Sequence, residues 1–324
     1  MTGLLQNIRP ETEKIDLIMG RDLNAAINNP LLGEVIKYAV FNGGKRIRPL
    51  LTVLSAGLEG RNSPDLYRLA LTFEYLHAAS LLHDDVIDHA EERRGRKAAN
   101  KVWSNTHVIL AGDFLHSHAM RLAGTTGGIS CLKVICHAAA AMVESEFLQL
   151  QNAEKQETAE SYYFAVLRGK TAALIAAACE SGAIFAGSVS DKREAVALFG
   201  TNLGLAFQII DDLLDYLGDE AKTGKAVGND FQEGKMTLPL LYALRGNNSD
   251  SRELKKLLTT SAADRNNHFT RARDIISMAG GFTAARQRAV TLIDEALTAL
   301  NIFPDSDAKD TLHALAYYVL ERDK

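Results

Sequence analysis

Apolar residues recur along this chain at three- and four-residue intervals, and no stretch sustains the alternation of a half-buried strand. From Pro64 the positions Leu66, Leu69, Ala70, Phe73, Leu76 and Ser80 form one helical stripe. Ser63-Pro64 supplies its start signal, a serine N-cap followed by proline at the first helical position. A second stripe, Ala195, Leu198, Phe199, Leu203 and Phe207, follows Ser190. Breaks are expected at 124–128, 152–160, 187–190, 218–234 and 246–267, where glycine and polar residues gather. With only six prolines in 324 residues and no linker rich in Pro, Gly and Ser, the pattern predicts an all-α fold, one domain over residues 1–324.

Composition narrows the function. The chain is 47% hydrophobic and 23% charged, so disorder is not indicated. Its net charge of −4 argues against a nucleic-acid binder, which normally carries a basic excess. No uninterrupted apolar run approaches the ~20 residues that cross a bilayer, and the charged N-terminus MTGLLQNIRPETEKID lacks the apolar centre of a signal peptide. A cytoplasmic enzyme is the expectation. Cys131, Cys136 and Cys179 lie among apolar residues and are expected as buried, reduced thiols; Cys136-His137 lacks the further ligands of a zinc site.

One short pattern occurs twice. Asp84, Asp85 and Asp88 in LLHDDVID repeat as Asp211, Asp212 and Asp215 in QIIDDLLD. On a helix, residues four apart share a face, so each copy gathers carboxylates near a helix C-terminus, the negative end of the dipole. That is costly without a cation. Carboxylate oxygens with room for water suit Mg2+, which fills its shell with water and phosphate oxygens. A single copy is compatible with a solvated helix end; two copies in apolar helices are not easily read so. The calcium-loop pattern with its central glycine is absent.

Basic residues answer the acidic ones. Lys45, Arg46 and Arg48 lie in the turn GGKRIRP; Arg93, Arg94, Arg96 and Lys97 follow the first cluster; Lys170-Thr171 follows Gly169; Lys225 and Lys235 follow the second cluster. Arginine forks bind phosphate oxygens in pairs and lysine supplies a point charge, so the set suggests one diphosphate bridged by Mg2+ and a second held by cations.

GGKRIRP (43–49), FEYLHAASLLHDDVID (73–88), ERRGR (92–96), GKTAAL (169–174), FQIIDDLLD (207–215) and TGKAVGNDFQEGKMTLPL (223–240) together resemble the trans-prenyl diphosphate synthase (polyprenyl synthetase) family. The resemblance implies a helical bundle around a deep cavity, with the six aspartates holding two or three Mg2+ ions against an allylic diphosphate. It assigns that diphosphate to Arg93, Lys170, Thr171, Gln208, Lys225 and Lys235, and isopentenyl diphosphate to Lys45, Arg48, His77 and Arg94. Lys170, Thr171 and Gln208 would attend the carbocation formed when the allylic C–O bond ionises. A homodimer is implied, with Val108–Ala123 a candidate contact surface or, equally, core; the product would draw the enzyme toward membranes.

Some positions depart from the family. Ala226 stands where relatives often have proline, Gln232 where they often have arginine, and Lys97-Ala98 replaces a common Pro-Thr. The second diphosphate site argues against a terpene cyclase or a head-to-head synthase. The two intact aspartate clusters argue against a non-catalytic partner subunit. A short-chain geranylgeranyl or farnesyl diphosphate synthase stays open.

Chain length turns on the helix before the first cluster. In the family a bulky residue just over one turn before it stops growth; here Ala79 and Ser80 are small. A helix rises ~5.4 Å per turn, roughly one isoprene unit, so a tunnel running toward Ile135 predicts about six to ten units, octaprenyl at the centre.

Overall fold

The computed structural model describes residues 2–155, 158–218 and 227–322. Its helices are α1 (Thr2–Ala26), α2 (Pro30–Val40), α3 (Ile47–Gly57), α4 (Pro64–Ile87), α5 (Asn105–Leu122), α6 (Gly128–Lys155), α7 (Glu160–Leu167) and α8 (Ala173–Ala186). After them come α9 (Ser190–Leu217), α10 (Asn229–Glu233), α11 (Leu238–Leu244), α12 (Ser249–Leu258), α13 (Ala262–Asn267), α14 (Phe269–Met278), α15 (Gly281–Ala299) and α16 (Asp307–Leu320). The fold is all-α, as the periodicity implies. Among the described residues the only strands are β1 (Glu92–Arg93) and β2 (Arg96–Lys97), an antiparallel pair. Arg94 and Gly95 both have positive φ (54° and 72°), the backbone of a two-residue turn between twisted strands.

The chain forms two compact units. One comprises residues 1–139, 174–197 and 302–312; the other comprises 140–173, 198–301 and 313–324.

In the first unit α4 is the hub. The Ser63 hydroxyl caps it, accepting from Leu66 N at 3.3 Å. The expected stripe is buried down to Leu76, but so are Tyr67, Leu71, Thr72, Glu74 and Tyr75 on the other sides. The reason is that α1, α2, α3 and α5 all pack against it. Helix α8 meets α3 so closely that a Cβ on Gly182 would lie 2.2 Å from the Thr52 carbonyl oxygen. Asp22 ties α1 to its neighbours: its Oδ2 accepts from Tyr75 OH at 2.9 Å and from His118 Nε2 at 2.6 Å. Burial alone would raise the Asp22 pKa, but hydrogen bonds from His118 and Tyr75 hold it below the ordinary carboxylate value.

In the second unit Tyr216, Phe231, Leu240, Leu254, Leu258, Ile275 and Ile276 make a buried core. The stripe expected on α9 is partly out of phase. Phe199 and Leu203 are buried, but Leu198 is 49% exposed, and the buried band continues through Leu205, Ala206, Ile209 and Ile210. Residues 246–267, expected as a break, contain α12 and α13. Their polar composition conceals a two-residue apolar anchor, Leu254 and Leu258, and side-chain caps from Asn248 and Ser261.

On α5 the residues Val108, Ala111, Leu115, Ala119 and Leu122 are core, while Ile109 and Leu110 are exposed, so Val108–Ala123 is core on one face and open on the other. A second open surface is on α6. Ile129, Lys133, Cys136, Ala140, Val143, Phe147 and Leu150 are exposed at alternating four- and three-residue spacing, the a/d pattern of a helix-packing seam. Cys136 is therefore exposed, contrary to expectation, because it belongs to this outward stripe. Cys131 and Cys179 are buried, and burial raises their thiol pKa to about 11 and about 12. By length and composition alone Asn105–Gln151 and α9 are apolar enough to cross a bilayer, although neither holds an uninterrupted apolar run.

Candidate active site

In the first unit the turn between α2 and α3 passes through Gly43 (φ 75°), Gly44 (φ 131°) and Arg46 (φ 50°). Glycine adopts such angles without cost; Arg46 is held there by its side chain. Its Nε donates to Asp16 Oδ1 at 2.7 Å, its Nη1 to Glu74 Oε1 at 2.5 Å and its Nη2 to the Val40 carbonyl at 2.8 Å. From the tip of the β1–β2 hairpin, Arg94 Nη1 donates to the carbonyls of Asn42 and Gly43 at 3.2 and 2.5 Å. A Cβ on Gly44 would sit 3.2 Å from Arg46 Nη1 and 3.3 Å from Arg94 Nη1, so the glycine seats both guanidinium groups.

Arg48, in the first turn of α3, differs from Arg46. Its Nε is buried without a hydrogen-bond partner. Burial lowers the Arg48 pKa; Glu74 opposes that and Arg94 adds to it. His77 lies among these cations. Burial, then Arg48, Arg94, Arg93 and Arg46, drive its pKa well below the ordinary imidazole value, so it is neutral at pH 7. A buried N–H with no acceptor, inside a ring of guanidinium groups, is a cradle for an anion with several oxygens. Lys45 is exposed in the same turn. The structure thus brings Arg48, His77 and Arg94 together, as expected.

Helix α4 ends on the first aspartate cluster, and the three carboxylates part company. Asp84 is half-buried and Asp88 exposed, one turn apart. Asp85 is buried: its Oδ1 accepts from Arg93 Nε at 2.9 Å and Nη2 at 2.7 Å, and its Oδ2 from Ala99 N at 3.3 Å. Asp85 and Arg93, expected as a metal ligand and a diphosphate ligand, hold each other.

The second unit contains a pocket of about 310 Å³ whose lining includes Lys170, Thr171, Gln208, Asp212, Asp230 and Lys235. A π-helical turn, Arg168–Ala172, presents two of them. Such widened turns are rare and gather at functional sites. Gly169 is required there, because a Cβ would lie 2.5 Å from the Ala141 carbonyl oxygen. Lys170 Nζ donates to Glu146 Oε2 at 3.0 Å and Gln149 Oε1 at 2.9 Å. Thr171 Oγ1 donates to Gln208 Oε1 at 3.2 Å, and Gln208 Nε2 to Asp212 Oδ1 at 3.1 Å. Tyr163 OH donates to Asp212 Oδ2 at 2.7 Å. The direction of this relay leaves the Thr171 oxygen's lone pairs unspent by it.

Around the second cluster carboxylates crowd. Asp215 Oδ2 accepts from Asp230 N at 3.0 Å. Burial, then Asp230, pushes Asp212 up to about 8 and Asp215 to about 6. Asp230 and Glu233 outweigh burial at Lys235 and raise its pKa; its Nζ lies 3.2 Å from Asp230 Oδ1. Asp211 Oδ1 lies 2.8 Å from Arg322 Nη1, and the Arg322 guanidinium stacks 4.2 Å over the Phe207 ring. Carboxylates whose charged forms are disfavoured by burial and by one another are a donor set a divalent cation relieves. Among the described residues no group of three His, Cys, Asp or Glu side chains is arranged to hold an ion alone.

Asp230, Glu146, Tyr163, Glu74 and Arg322 also take part in these sites, and neither the doubled aspartates nor the basic turns mark them. Asp230 and Glu74 lie within TGKAVGNDFQEGKMTLPL and FEYLHAASLLHDDVID and carry a charge that asks for a partner; nothing local marks Arg322. Lys225 and Ala226 lie outside the described residues. Ala79 and Ile135 are buried, and Ser80 is half-buried with its hydroxyl on the His77 carbonyl at 2.9 Å.

Residues 29–276 match the polyprenyl synthetase family model. The chain belongs to the polyprenyl synthetase family. Among curated relatives, octaprenyl diphosphate synthase of Escherichia coli is 35% identical over 322 residues, covering 96% of this chain and 99% of that one. A short chain isoprenyl diphosphate synthase of Methanothermobacter thermautotrophicus is also 35% identical, covering all of both chains. Among solved structures, a polyprenyl synthase of Caulobacter crescentus CB15, complexed with calcium and isoprenyl diphosphate, superposes with a TM-score of 0.87. It is 34% identical, over 99% of this chain and 97% of that one. Both cation-lined sites of this polyprenyl synthetase, 43–94 and 149–237, fall inside the matched segment.

Proposed function

We propose that this polyprenyl synthetase condenses isopentenyl diphosphate head-to-tail with an allylic diphosphate, farnesyl or geranylgeranyl, to give a long all-trans polyprenyl diphosphate. The observation that carries the reading is the buried, partnerless Nε of Arg48 beside the neutral His77. It supports a cation-lined anion site built from residues other than the two aspartate clusters, which a one-substrate cyclase does not need. Arg48, Arg94, Lys45 and His77 hold isopentenyl diphosphate. Lys170 and Lys235, with Arg93 and Lys225, hold the allylic diphosphate, and Asp84, Asp88, Asp211 and Asp215 are the carboxylates offered to metal. Asp85 and Asp212 each accept hydrogen bonds through both oxygens and also keep the neighbouring side chains in place.

Two or three Mg2+ ions, held by these aspartates together with the allylic diphosphate, would supply positive charge to stabilise the leaving group. The lysines add to that pull, so the allylic C–O bond breaks and the electron pair leaves with the diphosphate. The double bond of isopentenyl diphosphate attacks the cation, and a proton passes to the departed diphosphate. Thr171 and Gln208, fixed by their relay to Asp212, turn oxygens toward the cation.

Product length is set by the α4 wall. Ala78, Ala79 and Ser80 leave no bulk below the first cluster, which favours the long-chain relatives over the short-chain one. The a/d stripe of α6 supports a homodimer packed helix to helix, in the cytoplasm, with the apolar product drawing it to membranes. The deciding experiment is incubation of the pure protein with isopentenyl diphosphate, Mg2+ and farnesyl diphosphate, with products identified by mass. About six to ten isoprene units are expected; termination at geranylgeranyl diphosphate would overturn the long-chain assignment, and no condensation would overturn the function.

A further inference from the structure

We infer that Arg265 is a positioning residue for the allylic diphosphate pocket, a latch that fixes α10 and, through it, Asp230 and Lys235. The inference rests on the pocket's assignment above.

Helix α13 carries Arg265 and little else that packs. Ala262, Ala263, Asp264, Asn266 and Asn267 are all exposed, and Arg265 is the one side chain of the helix that is not. Its guanidinium enters a space between two helix ends. Nε donates to the Gln232 carbonyl at 2.9 Å, in the last turn of α10. Nη1 donates to the carbonyls of Leu258 and Thr260 at 3.3 and 2.5 Å, at the end of α12. These carbonyls lie at or just past helix C-termini, the negative ends of both dipoles, where a cation is favoured. The flat cation also lies against Gly234, whose φ is 76°; a Cβ there would be 3.3 Å from Nη2.

Helix α10 is five residues long and cannot hold its own geometry. Three anchors hold it. At its start Asp215 accepts from the backbone N–H groups of Gly228 (2.7 Å) and Asp230 (3.0 Å). In its middle Phe231 is fully buried in the second unit's core. At its end the anchor is Arg265. Lys235 follows directly, its N–H on the Asp230 carbonyl at 2.8 Å and its Nζ on Asp230 Oδ1. Without the latch, the first two anchors keep α10 attached, but its final turn, and the Lys235 ammonium beyond it, lose their fixed place. A ligand held by that ammonium is then held less well, while a ligand bound by the arginines of the first unit is not affected.

The test compares wild type, Arg265→Ala and Arg265→Lys, the last keeping the charge but not the fork. The expected result for Arg265→Ala is a KM for the allylic diphosphate raised about tenfold, with the KM for isopentenyl diphosphate within about twofold of wild type. Arg265→Lys should fall between them. Amide hydrogen exchange of the substrate-free proteins gives a readout independent of turnover: residues 230–235 should exchange faster in Arg265→Ala, and residues 43–50 should not. Unchanged exchange at 230–235, or parallel rises of both KM values, overturns the latch. If wild type fails to condense the two diphosphates, the functional reading falls and the exchange comparison still decides the latch. If Arg265→Ala does not fold, Arg265→Lys carries both measurements.

Discussion

Arg46 and Arg48 occupy one turn, two residues apart, and do opposite work. Arg46 spends its guanidinium on Asp16, Glu74 and a carbonyl, which holds a left-handed backbone in place; Arg48 keeps a buried N–H unspent. The string GGKRIRP does not distinguish them, because the distinction depends on Glu74, a turn of another helix. Asp85 was similarly illegible: it looks like its neighbours and is locked to Arg93. What the residues did reveal was the company they keep, cations beside doubled aspartates. Arg48→Ala should raise the KM for isopentenyl diphosphate by about tenfold or more, and Lys235→Ala that for the allylic substrate. Steady-state kinetics with each substrate varied in turn checks this; equal effects on both would merge the two sites. Asp22 offers a pH test. Its folded pKa is depressed, so its stabilisation is complete above the ordinary carboxylate range and is lost as pH falls through the lower folded value. Denaturant titrations of wild type and Asp22→Asn should differ by about 1–3 kcal/mol at neutral pH and converge in acid.

At the scale of elements, legibility followed amphipathicity. The start of α4 was readable because Ser63-Pro64 is a local signal; that the helix is wrapped on all sides was not, since a stripe records one neighbour and α4 has four. The phase error at Leu198 has the same origin. Helices α12 and α13 leave little trace in the pattern, because α12 anchors through only Leu254 and Leu258, and capping and one arginine hold the rest. The β1–β2 hairpin turns on Arg94-Gly95, a pair whose turn propensity is weak without its context. Helix α4 also carries the chain-length prediction. Ala79 is 3% exposed, so a ring at that position has no route to solvent and must enter the wall. Ala79→Tyr should shorten the product to about three or four isoprene units, one helical turn per unit. Mass analysis of products from wild type and variant checks it, and an unchanged long product would place the tunnel elsewhere.

At the scale of the whole molecule, the α6 stripe sets the expectation for assembly. Exposed Val143 and Phe147, 58% and 62% accessible, lie on a stripe a monomer has no reason to keep apolar. Sedimentation should show a dimer, and Phe147→Glu with Val143→Asp should shift it toward monomer; a fully active monomeric wild type would refute the seam. The π turn at Arg168–Ala172 has a consequence for how such chains diverge. It holds one residue more than a regular helical turn, the signature left by a single-residue insertion. Deleting Gly169 would restore an unbroken ladder of helix hydrogen bonds with the flanking turns kept in phase, so the side chains that move are those of the bulge itself. Lys170 and Thr171 could not both still face the pocket. A descendant with that deletion would have a more regular helix and no catalysis, so in this segment the count of residues, and not only their identity, is under selection.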